Sequence, residues 1–231
     1  MTLLFLHGSG CTHVVWQHQQ QFFEHSIAID YPGHPDGQTL TTVDALTQWL
    51  VDYIAQHQLD DVVLVGHSLG SAVAMQLAIS AKAKIQLKAL VLIGAGARLK
   101  VMPQLLQSLS ILVESAQPFP AYLLAANQNI AEHLQSQINT SIINNGVSVM
   151  QTDFTICDKF DVIEQLPQID VPTLIIVGDA DQMTPIKYAT FLQQHIPNAQ
   201  IAIIDKGSHM VFAEQPDRVN QCIETFLNTL D

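Results

Sequence analysis

Positive charge is scarce in this chain. Two arginines and seven lysines stand against 21 acidic residues among 231, a formal net charge of −12 with histidine neutral. Nucleic-acid binding rests on Lys and Arg neutralising phosphates, so no nucleic-acid partner is expected. The acidity itself reads as colloidal solubility. Charge of either sign is thin, 13 % of residues against a usual ~25 %, and 25 glutamines spread along the chain supply polar surface instead. Cysteine is also sparse. Cys11, Cys157 and Cys222 are odd in number and far apart, which describes no disulfide framework and points to a reducing cytoplasm. No apolar run approaches the ~18 residues of a membrane helix. The opening Met-Thr-Leu-Leu-Phe-Leu has neither the basic flank nor the length of a signal peptide, so we expect a cytoplasmic chain with no membrane partner. There is no H-E-x-x-H, no tight Cys/His cluster and no P-loop, and Gly94-Ala95-Gly96 lacks the third glycine of a dinucleotide fingerprint. Metal and cofactor are therefore not expected. Oligomeric state is not legible.

What the chain does have is apolar material. At 48 % hydrophobic residues and a mean hydropathy of +0.22, it has enough for a large core, and its length suits one core with an insertion. Short apolar runs at residues 3–6, 26–29, 62–65, 89–93, 173–177 and 201–204 read as strands. Helical periodicity at 43–56, 69–81, 186–195 and 211–230 reads as crossover helices. That alternation predicts an α/β fold with a mostly parallel sheet of about six strands and helices on both faces. Thr184-Pro185 reads as an N-cap followed by proline in the first helical turn. Between Ile93 and Thr173 no strand is evident, and Met102, Leu105, Leu106, Leu109, Leu112 and Val113 recur at helical spacing. We read residues 97–165 as a small helical insertion, with 1–96 and 166–231 as the core.

The most specific motif is Gly66-His67-Ser68-Leu69-Gly70, placed directly after one strand and before a helix. A serine on such a sharp turn is exposed at the sheet edge, and small residues two positions to either side prevent clashes. Its hydroxyl is a weak nucleophile that needs a base, and the base needs an orienting group. Gly207-Ser208-His209 follows the last strand and offers His209 as the base; His18, His25, His57, His133 and His195 read as surface or turn residues. Asp179 and Asp181 both follow the fifth strand. Asp181 is preferred because it lies farther along the loop, where it can reach across, whereas Asp179 suits capping of the turn. The segment after Ile93 has no carboxylate to offer. An oxyanion would need backbone donors: Leu69 N–H at the helix start and Ser9 N–H in the turn His7-Gly8-Ser9-Gly10. Cys11 reads as a small packing residue.

Taken together, Leu6-His7-Gly8-Ser9-Gly10, Asp30-Tyr31-Pro32-Gly33-His34, the G-x-S-x-G, Gly178-Asp179-Ala180-Asp181 with Pro185, and Gly207-Ser208-His209 resemble the α/β-hydrolase superfamily over nearly the whole chain. The resemblance implies Asp181 as the acid, four residues before the proline, and a helical cap inserted after the strand ending at Ile93. It also implies that the usual first antiparallel strand pair is missing here. No glycine follows His34, which departs from the family's pattern. The expected activity is that of a serine esterase acting on a small to medium, mostly neutral ester. Leu105, Leu109, Leu112, Phe119, Tyr122, Leu123 and Met210 are candidates for its pocket. A carbon–carbon bond hydrolase, a menaquinone-pathway-like lyase and a non-hydrolytic binding module are the alternatives. A substrate with several carboxylates would want more cations than Arg98, Lys100 and Lys159.

Overall fold

The computed structural model describes residues 1–81, 84–115 and 117–230. The six apolar runs are six strands: β1 (Thr2–Leu6), β2 (Ile27–Ile29), β3 (Val62–His67), β4 (Leu87–Ile93), β5 (Thr173–Gly178) and β6 (Ala199–Ile204). They form one sheet ordered β2-β1-β3-β4-β5-β6, with every pairing parallel. Among the described residues the sheet contains no antiparallel strand.

Period-two alternation divides each central strand between two cores. Leu4, Leu6, Leu64, Leu90 and Leu92 face one side, packing on α2 (Val43–Gln56), α3 (Leu69–Ser80) and α6 (Ile186–His195). Leu3, Phe5, Val63, Val65, Val91 and Ile93 face the other, with Trp16, α8 (Pro216–Leu227) and part of the insertion. Each large side chain so buried is worth about 1.5–3 kcal/mol relative to exposure, and the double-sided cover explains why these strands read as unbroken apolar runs. The edge strand β6 keeps Ile203 exposed.

Three local expectations need correction. The stretch 211–230 is two helices, α7 (Val211–Glu214) and α8. Pro216 starts α8 and leaves Gln215 at φ −131°, ψ 60°, because proline disfavours a helical residue before it. Pro185 is the N-cap of α6, outside the first helical turn, and no side chain caps that helix; the Thr184 hydroxyl is engaged elsewhere. A 3-10 turn (His13–Trp16) and α1 (Gln17–Phe22) follow β1, where no helix was read.

Between β4 and β5 lie α4 (Pro103–Ser115), a 3-10 segment (Ala121–Asn127), α5 (Glu132–Lys159) and a second 3-10 segment (Ile163–Gln168), with no strand among the described residues. Gly146 interrupts α5 with non-helical angles, φ 81° and ψ 169°. The parallel sheet brings the carboxyl ends of β1, β3, β5 and β6 to one rim, which is where ligands bind in such sheets.

Candidate active site

Ser68 stands between β3 and α3 with φ 51° and ψ −113°, a backbone strain typical of a nucleophile turn. The turn is locked from below. Ser68 N–H donates to the Ile93 carbonyl at 3.0 Å, and Ser71 Oγ donates to Gly66 O at 2.6 Å and Ile93 O at 3.2 Å. α3 lies so close to β1 that a Cβ on Gly70 would strike the Leu6 carbonyl. Leu69 begins α3, and the first N–H groups of a helix have no intrahelical acceptor.

The loops after β5 and β6 are joined backbone to backbone. Asp179 N–H donates to Ile204 O at 3.0 Å and Ala180 N–H to Gly207 O at 2.9 Å, while a Cβ on Gly178 would collide with Gly207. Asp179 closes this joint by accepting from Lys206 N–H at 2.6 Å. The joint leaves Asp181 facing His209, with Oδ2 to Nδ1 at 2.9 Å and both residues buried. Asp181 Oδ1 accepts from the N–H groups of Met183 (2.8 Å) and Thr184 (2.9 Å). Thr184 Oγ1 donates to Oδ2 at 2.7 Å and lies 3.2 Å from His209 Nδ1. Burial alone would raise the Asp181 pKa, but the His209 hydrogen bond and charge, with the Thr184 donors, hold it well below the usual carboxylate range. An ionised carboxylate on Nδ1 keeps the proton there and leaves Nε2 as the basic nitrogen. His209 Nε2 is buried and has no hydrogen-bond partner among the described residues.

His67 supports this arrangement from behind. Its Nε2 pairs with the His209 carbonyl at 3.1 Å, and its ring lies 4.7 Å from the His209 ring. Burial and the neighbouring His209 lower its pKa well below the ordinary value, so it is a neutral donor. His7 is likewise kept neutral, chiefly by burial. It accepts from Tyr31 N–H at 3.3 Å through Nε2, and its Nδ1 lies 2.9 Å from Gly8 O.

A cavity of about 300 Å³ opens on Ser68, His209 and Ser9, lined otherwise by uncharged side chains that include Met102, Leu105, Tyr122, Leu123, Met150, Phe154 and Met210. A smaller one of about 50 Å³ also touches Ser68 and His209, between Leu99, Lys100, Val101, Cys157, Thr184 and Tyr188. Phe154 and Met183 line both. Of the predicted pocket residues, Leu105, Tyr122, Leu123 and Met210 line the larger cavity. Leu109 is fully buried in the core and Phe119 packs against that core, both away from the cavity lining, and Leu112 is outside the lining as well. Cys11 is buried and lines the cavity wall, its thiol pushed up to about 12 by burial.

Sequence reasoning missed Thr184, His67, Phe154, Asp153 and Asn145. Thr184 and His67 sit beside recognised motif residues, so position alone gave a signal. The last three lie on α5, where only the fold shows what they meet.

Comparison with known proteins identifies the family. The model of the Alpha/beta hydrolase family matches residues 3–221. The pimeloyl-[acyl-carrier protein] methyl ester esterase of Legionella pneumophila is 24 % identical over 98 % of this chain and 95 % of its own. A thermophilic esterase of known structure is 33 % identical, with a TM-score of 0.83 over 99 % of this chain and 90 % of that one. A bromoperoxidase from Bacillus anthracis shares the fold at a TM-score of 0.86, covering 98 % and 91 % of the two chains at 21 % identity. With the motif residues gathered at one rim of a parallel sheet, and a family match spanning nearly the whole sequence, this chain belongs to the alpha/beta hydrolase family.

Proposed function

We propose that the protein hydrolyses carboxylic esters through an acyl-enzyme on Ser68. The observation that carries this reading is the 2.9 Å Asp181–His209 bond, which leaves His209 Nε2 unpartnered among the described residues beside a cavity that His209 and Ser68 both line. Ser68 Oγ attacks the ester carbonyl as His209 Nε2 takes its proton. The Leu69 and Ser9 N–H groups receive the negative charge on the carbonyl oxygen, and His209 returns the proton to the departing alkoxide. Water repeats the sequence to release the acid. Asp181 holds the ring and stabilises the imidazolium.

The helices of residues 97–165 act as the cap over this centre, and the two cavities suggest the substrate. The larger has no Asp, Glu, Lys or Arg in its lining, which suits a neutral apolar limb; the smaller, with Lys100 at its wall, suits a short one. We therefore assign a small to medium neutral ester with limbs of unequal size.

Active-site phosphonate titration together with short-acyl nitrophenyl esters tests the reading. Wild type should label stoichiometrically and turn over, and Ser68→Ala should do neither. Labelling with negligible ester turnover would favour a lyase or carbon–carbon bond hydrolase on the same machinery. Wild type that neither labels nor turns over would leave a binding module and end the proposal.

A further inference from the structure

We propose that Asp153, on the inserted helix α5, is a positioning residue for the oxyanion loop: its carboxylate ties down the Gly10 N–H and the buried His34 ring, and thereby sets where the Ser9 N–H points. The role given to Ser9 rests on the ester-hydrolase reading; the tether itself does not.

Asp153 is 1 % exposed, in a helix whose nearby Met150, Phe154 and Cys157 line the cavities as apolar wall. A buried carboxylate is costly unless charge and hydrogen bonds offset it, so its presence at such a position needs a reason. Asp153 lines neither cavity beside Ser68, which leaves substrate contact out. Its Oδ2 accepts from Gly10 N–H at 2.7 Å and pairs with His34 Nε2 at 2.9 Å, and the two side chains are each 2 % exposed. Burial draws the His34 pKa down, but the Asp153 hydrogen bond and charge outweigh it and hold it above the ordinary value.

The loop is held at three successive residues by the same helix. Ser9 Oγ lies 3.4 Å from Cys157 Sγ, Gly10 N–H is on Asp153, and Asn145 Nδ2 donates to the carbonyls of Gly10 (2.9 Å) and Cys11 (3.1 Å). Asp153 and Cys157, four apart, share one face of α5. The peptide plane carrying Gly10 N–H follows directly on Ser9, so a charge-assisted bond there restrains the ψ of Ser9 and, through it, the donor. His34 balances the carboxylate. Without that counter-charge, a negative group beside the loop would oppose the oxyanion it is built to receive.

The test uses Asp153→Ala and Asp153→Asn in the full chain, read by amide hydrogen exchange, by kcat and KM on a short nitrophenyl ester, and by affinity for a boronic acid that mimics the tetrahedral intermediate. In the Ala variant, exchange over residues 8–11 should accelerate while Leu69 is unchanged. A donor misplaced by an ångström costs on the order of 100-fold. We expect kcat to fall by about that factor, with boronate affinity falling in proportion to kcat/KM and KM moving by less than about threefold. The Asn variant keeps an acceptor without the charge and should lose about tenfold. A folded Ala variant with unchanged loop exchange or unchanged kcat would overturn the proposal, as would a rise in KM alone. If the Ala variant fails to fold, wild-type exchange and kcat in the Asn variant would overturn it equally. Absence of ester turnover in wild type would sink the ester reading only, because the exchange measurement still decides the tether.

Discussion

A methyl group at residue 70 would be driven into the Leu6 carbonyl, and neither partner can move without shifting β1 or α3. Gly70→Ala should therefore destabilise by the ~1–3 kcal/mol typical of overpacking and slow phosphonate labelling of Ser68. Urea unfolding and the labelling rate check this, and wild-type values for both would contradict it. Thr184→Val keeps the shape but deletes a donor to an ionised carboxylate. A hydrogen bond to a charged group is worth about 1.5–3 kcal/mol, so the variant should lose stability on that scale, and the Asp181 carboxyl should titrate closer to its ordinary value in an NMR titration. At this scale the sequence showed the residues whose role is dictated by local backbone. The Gly-x-Ser-x-Gly spacing describes a turn that needs no distant partner to be recognised, and the two aspartates could be ranked by reach. His67 occupies a variable position of that same motif, yet its role depends on the His209 carbonyl 142 residues away. No local pattern marks that.

Elements were legible in proportion to how completely apolar periodicity describes them. The central strands were visible because both faces of the sheet are covered there, and the edge strands β2 and β6, only partly buried, still read as short apolar runs. α1, with the sequence Gln-His-Gln-Gln-Gln-Phe, shows no such period. It is anchored through Gln19, whose Nε2 donates to Phe212 O and Asn220 Oδ1, each at 3.0 Å. The break in α5 is the sharper case. Gly146 has no atom within 4 Å of a notional Cβ, so space does not demand glycine there. Its angles do, because that region of backbone space is essentially restricted to glycine and costs other residues ~1–3 kcal/mol. Gly146→Ala should lose that amount in chemical denaturation despite filling empty space. A change under about 0.5 kcal/mol, the size of an ordinary surface substitution, would show that α5 can straighten. Since Asn145 precedes the break and Asp153 follows it, the same variant should also speed amide exchange in the loop at residues 8–11.

Over the whole molecule, an acidic chain with four buried histidines carries opposing proton linkages. His7 and His67 have pKa values lowered by burial from 6.5. Below pH 6.5 the unfolded chain binds protons that the folded one refuses, so stability falls as pH drops, by up to ~1.4 kcal/mol per pH unit for each group. Asp181 adds to this lower down. Its depressed pKa gives stability that is complete above the ordinary value of 3.8 and disappears as pH falls further. His34 works in the opposite sense. Its pKa is raised, so its contribution is complete below 6.5 and is lost as pH climbs through the folded value. The groups that face it are Asp153 on α5, His7 after β1 and Tyr31 on its own loop. The buried thiols of Cys11 and Cys157, pushed up to about 12 from 9.0, extend the alkaline loss above pH 9. Stability should thus peak near pH 6.5. His34→Gln should flatten the curve above pH 6.5 and, by removing a charge that helps to depress the His7 pKa, soften the loss on the acid side, as read by urea midpoints at constant ionic strength. Parallel wild-type and variant curves above that pH would mean that the His34–Asp153 contact gains nothing from charge.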